Sequence, residues 1–324
     1  MEDVAREAGV SLVTVSRAIN QPDMLAPETL AQVRDAIERL RYVPNLTAGS
    51  LASSRSRIVA AVVPTLGSSI FSDTIDGLSE ALVKARYQLL VGQTHFQANE
   101  ERELVDAFIG RRVDGLMLVR STPGREVDER LARASVPMVE TWDLPRRAGE
   151  LVVGFSNRDA GFAAGHYLAG KGYRQLGFLG SEGGRSAARL TGLKAAAKAS
   201  GLPEPLLEAL SPTASLIAAA EGFHALRARA PDLRAVLCSN DMVAAGVLFE
   251  CARHGLAVPG TIAVMGFADL PIAASIAPRL TTVQVPSREI GFRAGQLLLS
   301  RIEGEHHSPS RIDLGFRIIE RESA

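Results

Sequence analysis

The sequence predicts a small N-terminal all-α domain with a helix-turn-helix layout, followed by an α/β core of two doubly wound parallel-sheet subdomains. Three observations lead there. The first twenty residues place small apolar side chains at helical spacing on both sides of a glycine. From Ile58 onward, short apolar runs alternate with helical periodicities. That alternation then occurs a second time, which points to two similar subdomains with a cleft between them. The chain has 324 residues, 46% of them hydrophobic, enough for two or three domains with cores of their own.

In the first stretch, Val4, Ala5, Ala8, Val10, Val15 and Ile19 recur on one helical face. Ala5 is small enough for two helices to cross closely, and Gly9 supplies a turn that a Cβ would resist. Ser11 stands where an N-cap belongs, so the second helix starts there and exposes its first side chains. In such a layout those side chains enter the major groove of DNA, whereas a plain helical hairpin would present them to no partner. A third amphipathic helix is predicted over residues 29–40, followed by the run Tyr42-Val43-Pro44-Asn45-Leu46-Thr47-Ala48-Gly49-Ser50-Leu51-Ala52.

Beyond it, Ile58-Val59-Ala60-Ala61-Val62-Val63-Pro64 is a continuous apolar run, the mark of a strand buried on both faces. Further strands are predicted at 88–93, 115–119, 137–142 and 151–155, with helices at 72–85, 100–111, 126–134 and 159–170. The second round puts strands at 175–180, 235–239 and 262–266, and helices at 187–199, 215–229 and 242–254. A helix at 290–301 and one last strand at 312–319, closing the second subdomain, complete the pattern.

Formal net charge is zero, so bulk electrostatics announce no nucleic-acid partner. The N-terminal segment is equally balanced. Arg6, Arg17, Arg34, Arg39, Arg41, Arg55 and Arg57 face Glu2, Asp3, Glu7, Asp23, Glu28, Asp35 and Glu38. DNA binding would then depend on where the arginines point and on dimer avidity. Cys238 and Cys251 have no histidines at ligand spacing and read as buried, reduced core residues. No basic-then-apolar leader and no bilayer-length apolar stretch is present, which fits a cytoplasmic protein without membrane partners. The Gly-rich run 180–184 is neither a dinucleotide fingerprint nor a P-loop, since no Gly-Lys-Ser/Thr follows. His95, His166 and His254 stand near no nucleophile elbow, and His306-His307 reads as a solvated turn. No enzyme activity, cofactor or metal is implied.

Asp3-Val4-Ala5, Gly9-Val10-Ser11, Thr14-Val15-Ser16-Arg17, Asn20 and Tyr42-Val43-Pro44-Asn45 with Ala48 and Leu51 resemble the lactose-repressor (LacI) family of bacterial transcription regulators. The resemblance implies a periplasmic-binding-protein-like core. It also divides the chain into a DNA-binding domain at 1–44, a hinge at 45–56 and an effector core at 57–324. Within that core the first subdomain would hold 57–154 and 287–308, and the second 155–286 and 309–324. A homodimer would present two recognition helices to a near-palindromic double-stranded operator. Leu12, Val13 and Arg17 are expected to read base edges, with Arg17 on guanine and the apolar pair on thymine methyls. Ser11, Thr14 and Ser16 would position the helix on phosphates, with Asn20 among the contacts. By resemblance, Asn45, Ala48 and Leu51 belong to a hinge helix formed on DNA, with Leu51 as a minor-groove wedge. Met1 holds the first position of the motif, where the family usually carries several more residues and a hydroxyl cap, so a start upstream is expected.

Ligands of open α/β sheets bind beyond the carboxyl ends of the strands. Those ends carry Thr65 to Phe71 with Ser69, Arg120, Trp142-Asp143, Ser181 to Arg189, Ser239-Asn240-Asp241 and Phe267-Ala268-Asp269. Arg189-Leu190-Thr191-Gly192 and Cys238-Ser239-Asn240-Asp241 match the family's effector motifs, which implies that Arg189 and Asn240 bond the effector. Phe71, Trp142 and Phe267 would supply apolar surface. Asp241 reads equally well as a helix N-cap. Ala268 replaces the aspartate that follows the Gly-aromatic pair in most of the family. Its loss favours a carboxylate effector held by an arginine with a free fork, for which Arg120 and Arg189 are the candidates. Further segments, among them Gly255-Leu256-Ala257-Val258-Pro259 and Ala277-Pro278-Arg279-Leu280, resemble the gluconate-utilisation repressors. The expected effector is a sugar acid such as gluconate, and a neutral sugar, a purine, or a sugar-binding module without operator control are the alternatives.

Overall fold

The computed structural model describes residues 1–43, 55–67, 69–120, 124–144, 151–305 and 310–324, without the side chains of Asn20 and Ser69. Asn45, Ala48 and Leu51, with most of the expected hinge, lie outside the described residues. The chain forms two units, Met1–Ser56 and Arg57–Ala324.

In the first unit, α1 (Glu2–Glu7), α2 (Leu12–Asn20) and α3 (Pro27–Arg39) enclose a core of Val4, Ala5, Val15, Ala18, Val33 and Ala36. Gly9 turns between α1 and α2 at φ +63°, the left-handed conformation expected of it. The Ser11 hydroxyl caps α2 by accepting from the Thr14 amide at 3.2 Å. α1 starts at Met1 without a side-chain cap, and α3 starts two residues earlier than predicted, on Pro27 at its first turn.

The second unit contains two six-stranded sheets. The first carries β1 (Ile58–Val63), β2 (Gln88–Gln93), β3 (Gly115–Leu118), β4 (Met138–Thr141) and β5 (Leu151–Gly154). The second carries β6 (Leu176–Gly180), β7 (Leu206–Ala209), β8 (Ala235–Cys238), β9 (Ala263–Ala268) and β10 (Thr281–Gln284). Two further strands follow, β11 (Arg311–Asp313) and β12 (Arg317–Ile319). The strand orders are β11-β5-β4-β3-β1-β2 and β12-β10-β9-β8-β6-β7, and β12 alone runs antiparallel to its neighbour. The central strands are apolar on both faces because helices cover both, as the continuous runs predicted.

Two expectations are corrected here. The single closing strand is two strands: β11 pairs in parallel with β5 of the first sheet, and β12 joins β10 of the second. Residues 311–313 thus leave the second subdomain, where 309–324 had been placed. Gly315 at φ +65° makes the break between them. Strand β7 was not foreseen. It lies at a sheet edge, half-buried, where the apolar signal of the central strands fades.

Helices α4 (Ser72–Lys84), α5 (Ala98–Gly110) and α6 (Arg125–Ala134) flank the first sheet. α7 (Asn157–Gly170), α8 (Gly184–Ala199), α9 (Leu216–Arg229), α10 (Asp241–Arg253) and the short α11 (Pro271–Ser275) follow, and α12 (Ser287–Ile302) returns to pack on β3, β4 and β5. The chain therefore passes between sheets three times, after β5, after β10 and between β11 and β12.

Candidate functional site

The side chains expected to meet DNA lie on α2. Leu12 and Val13 are 45% and 59% exposed although both are large and apolar, and Arg17 is exposed one turn further on. Val15 and Ala18 face the core, so the helix divides cleanly into a packing face and an offered face. Ser11 and Thr14 share a hydroxyl bond of 2.9 Å at the helix start. The balanced charge of the segment is resolved locally. Arg6 pairs with Asp3, and Arg39 takes Glu7 at 3.3 Å and Asp35 at 2.7 Å, while α2 itself carries no carboxylate. The positive charge of Arg17 therefore stands on an acid-free helix.

Between the two sheets lies a cavity of about 250 Å³. Thr65, Ile70, Phe71 and Trp142 line it from the first subdomain, together with Phe96. Ser181, Gly183, Gly184, Arg185, Ser186, Arg189, Pro212, Ser239 and Asn240 line it from the second. Of the expected site residues, Thr65, Phe71, Trp142, Arg189 and Asn240 meet here. The Ser69 side chain lies outside the described residues. Phe267 is not on the wall but beneath it, with the Arg189 guanidinium carbon 4.0 Å from its ring centre.

Arg120 is elsewhere. Its side chain is 4% exposed and bonds Glu101 at 2.9 Å, Asp128 at 2.5 Å and Glu140 at 2.8 Å. Burial alone would lower it, but the bond with Asp128 and the charges of Glu101, Asp128 and Glu140 hold it above its ordinary value. Burial raises Glu101 and Glu140, with Arg120 pulling both the other way. An arginine so engaged has no free fork, and the sequence could not show this because its three partners come from three different elements. Only its backbone carbonyl reaches toward the cavity wall, where it accepts from Arg185 Nη1.

Arg185 is the residue that sequence reasoning did not single out, although it stood inside the segment after β6. It is buried, lies over Phe71 at 5.5 Å, and shares the wall with Arg189 one helical turn on. Burial pushes Arg185 down to about 10 and Arg189 to about 9, Arg185 adding to the pressure on Arg189 while Asp143 opposes both. A guanidinium keeps its proton under that pressure, so the natural relief is an anion. Among the described residues no carboxylate lies within ion-pair distance of either. Moreover, the buried side-chain atoms left without a partner among the described residues are Arg189 Nε, Ser186 Oγ and Arg120 Nη2, two of them on residues lining this cavity.

The wall is held by a relay. Asn157, fully buried, accepts from Arg189 Nη1 at 3.1 Å and donates Nδ2 to the Trp142 carbonyl at 2.8 Å. Trp142 Nε1 donates to Thr74 Oγ1 at 3.0 Å, and Thr74 donates to the Ser287 carbonyl at 3.0 Å. Phe71, Trp142, Phe155 and Phe267 run as an aromatic column with ring centres 5.0, 6.1 and 6.0 Å apart. Asn240 caps α10 through its side-chain oxygen, accepting from the Val243 amide at 2.9 Å, so its Nδ2 group remains for a ligand. Asp241 is therefore not the cap. Buried, it accepts from the Thr282 hydroxyl and the Leu270 amide, each at 2.6 Å.

Close helix packing sets Arg189 in place. A Cβ on Gly161 of α7 would overlap the Arg189 carbonyl, and one on Gly192 of α8 would overlap the Arg158 carbonyl. The glycine three residues after Arg189 thus has a packing reason, which is to let α7 and α8 touch backbone to backbone.

A helix-turn-helix joined to two parallel α/β sheets with a cavity between them defines a DNA-binding regulator rather than an enzyme. Comparison with known proteins agrees. Residues 1–45 match the pattern of the bacterial regulatory proteins of the lacI family, and residues 166–324 match a periplasmic binding protein-like domain. The HTH-type transcriptional regulator GntR of Pseudomonas aeruginosa is 36% identical over 325 residues, covering 100% of this chain and 95% of that protein. IdnR of Escherichia coli, another HTH-type transcriptional regulator, is 31% identical over 328 residues, covering 98% and 96%. Among solved structures, a LacI-family regulator from Silicibacter pomeroyi matches at a TM-score of 0.91 and 29% identity, over 99% of this chain and 98% of that one. Transcription regulator GntR from Chromobacterium violaceum matches at 0.79 and 35%, over 82% and 98%. The chain belongs to the lacI family of bacterial regulatory proteins and is a DNA-binding transcriptional regulator.

Proposed function

We propose that this regulator is a repressor, acting in the cytoplasm as a homodimer on a near-palindromic operator and controlled by a small sugar acid, gluconate being the first example to test. The observation that carries the effector class is the pair of buried guanidiniums, Arg185 and Arg189, that share a cavity wall without a carboxylate of their own. A ligand carboxylate supplies the missing anion through charge-assisted bonds. Ser186, Ser239 and Asn240 suit polyol hydroxyls, and Phe71 with Trp142 suits the carbon chain. Ala268, 4% exposed at the end of β9, places no competing negative charge there. Exposed Ile217 and Phe249 on α9 and α10, at 72% and 48%, support a second copy as partner. By this reading Leu12, Val13 and Arg17 read bases, Ser11, Thr14 and Ser16 hold phosphates, and Asn45, Ala48 and Leu51 complete the DNA contact.

The test is fluorescence anisotropy on labelled promoter DNA, titrated with gluconate, related aldonates and the matching neutral sugars. Sequence-selective binding that responds to aldonates and ignores neutral sugars supports the proposal, and the direction of the change gives the sign of control. A response to a neutral sugar or a purine, or none to any aldonate, rejects the effector class.

A further inference from the structure

On the outer face of the second subdomain, His224 of α9 meets Glu250 and His254 of α10. Glu250 and His254 are one helical turn apart and so share a face, and the packing of α9 on α10 brings His224 to them. Glu250 Oε1 accepts from His224 Nε2 at 2.6 Å and from His254 Nε2 at 2.8 Å. The three candidate donor atoms all lie within 4.8 Å of one another. Glu250 is 6% exposed, whereas both imidazoles are about half exposed, so the cluster is anchored at its floor and open to water above. The two rings stand edge to face, 5.2 Å apart.

We propose that His224, Glu250 and His254 form a binding site for a divalent d-block cation such as Zn²⁺, a site distinct from the effector cavity. Two imidazoles and one carboxylate make a three-ligand set that leaves a fourth position to water. With bond lengths of about 2.0–2.1 Å, tetrahedral ligand atoms stand about 3.3 Å apart, so the two imidazole–carboxylate pairs open by about 0.5–0.7 Å and the two imidazole nitrogens adjust within their limit of 4.8 Å. Half-exposed imidazoles have the freedom to do so. Each ring then turns a lone pair to the ion at Nε2 and carries its proton on Nδ1. The other oxygen of Glu250 is steadied by Arg253 Nη1 at 3.6 Å. Cys251 adjoins the cluster in sequence but packs into the apolar core instead, so the ligand set is His224, Glu250 and His254.

The site is tested on the full-length protein, stripped with a chelator and titrated with Zn²⁺ against a chromophoric competitor. One equivalent per chain is expected, with a rise in Tm on binding. The double variant His224→Ala/His254→Ala should bind at least about tenfold more weakly and lose the Tm rise, and Glu250→Gln should move the same way. Circular dichroism of the double variant checks that it folds. Absence of stoichiometric uptake by the parent protein overturns the proposal. So does undiminished uptake by a folded double variant, because the ion would then sit on other residues.

Discussion

Two regions of the α/β core bury guanidinium groups, and they treat them in opposite ways. Beside the first sheet, Arg120 is surrounded by Glu101, Asp128 and Glu140, its charge answered from within the chain. Between the sheets, Arg185 and Arg189 are as deeply buried and, among the described residues, meet a backbone carbonyl, an asparagine oxygen and aromatic faces. A buried cation that carries its own anions belongs to the architecture. A buried cation without them keeps its strongest bonding capacity unused by the chain, which is the basis of the effector proposed above.

The sharpest way to break this contrast is to remove one guanidinium from each region. Arg120→Met leaves carboxylates buried and unpaired, so unfolding free energy should fall by about 3–5 kcal/mol in urea titrations. A loss below about 1 kcal/mol would show that the three acids do not depend on Arg120. Arg189→Met removes a cation that has no carboxylate at ion-pair distance among the described residues, so stability should hold or rise while effector affinity drops about 100-fold. An Arg189→Met protein that unfolds more easily yet answers the effector normally would make Arg189 a second Arg120.

A smaller effect is expected at the support. Gly161→Ala pushes α7 against the Arg189 carbonyl and should cost about 1–3 kcal/mol of stability. Effector affinity should weaken with it, and normal affinity would mean that the arginine's placement does not depend on the helix crossing. The smallest effect concerns a buried charge handled in a third way. Asp241 meets hydrogen-bond donors rather than cations, and burial raises it to about 6 against the pull of Thr282 and the Leu270 amide. Its folded value exceeds the unfolded value of about 4, so its contribution to stability is full below about pH 4 and is lost as pH rises through about 6. Asp241→Asn should flatten the stability profile over that window, and an unchanged slope would assign the titration to another group.

The sequence made the architecture readable wherever a local period carried it. Gly9, Ser11 and the apolar face of α2 announced the turn, its cap and the recognition helix, and the apolar run at β1 announced a strand buried on both faces. The carboxyl ends of the strands led to five of the eight expected cavity residues. What failed was long-range pairing. Nothing near Arg120 in the chain reveals that Glu101 and Glu140 approach it, and nothing near Asn157 reveals that it joins Arg189 to Trp142. Arg185 carries no local mark either, because glycines dominate the run 180–184 before it and no Gly-Lys-Ser/Thr follows them. The split of the last strand did leave a local mark, the Asp313-Leu314-Gly315 turn, in which the Asp313 carboxylate accepts from the Gly315 amide at 2.9 Å.

The three passages between sheets also act as a mechanism in the engineering sense. A single tether would leave one subdomain free to swing in any direction about the other. Three crossings would resist sliding and stretching and favour rotation, like the leaves of a flexure pivot. Two of the three are clasped together. Asp269 takes Gln284 Nε2 on one oxygen and Arg321 Nη2 on the other, both at 2.7 Å, and Arg317 Nε bonds Gln284 Oε1 at 2.5 Å. On the proposed reading, a ligand of a few heavy atoms, gripped between the sheets at one side of such a pivot, would be converted into an angle at the other.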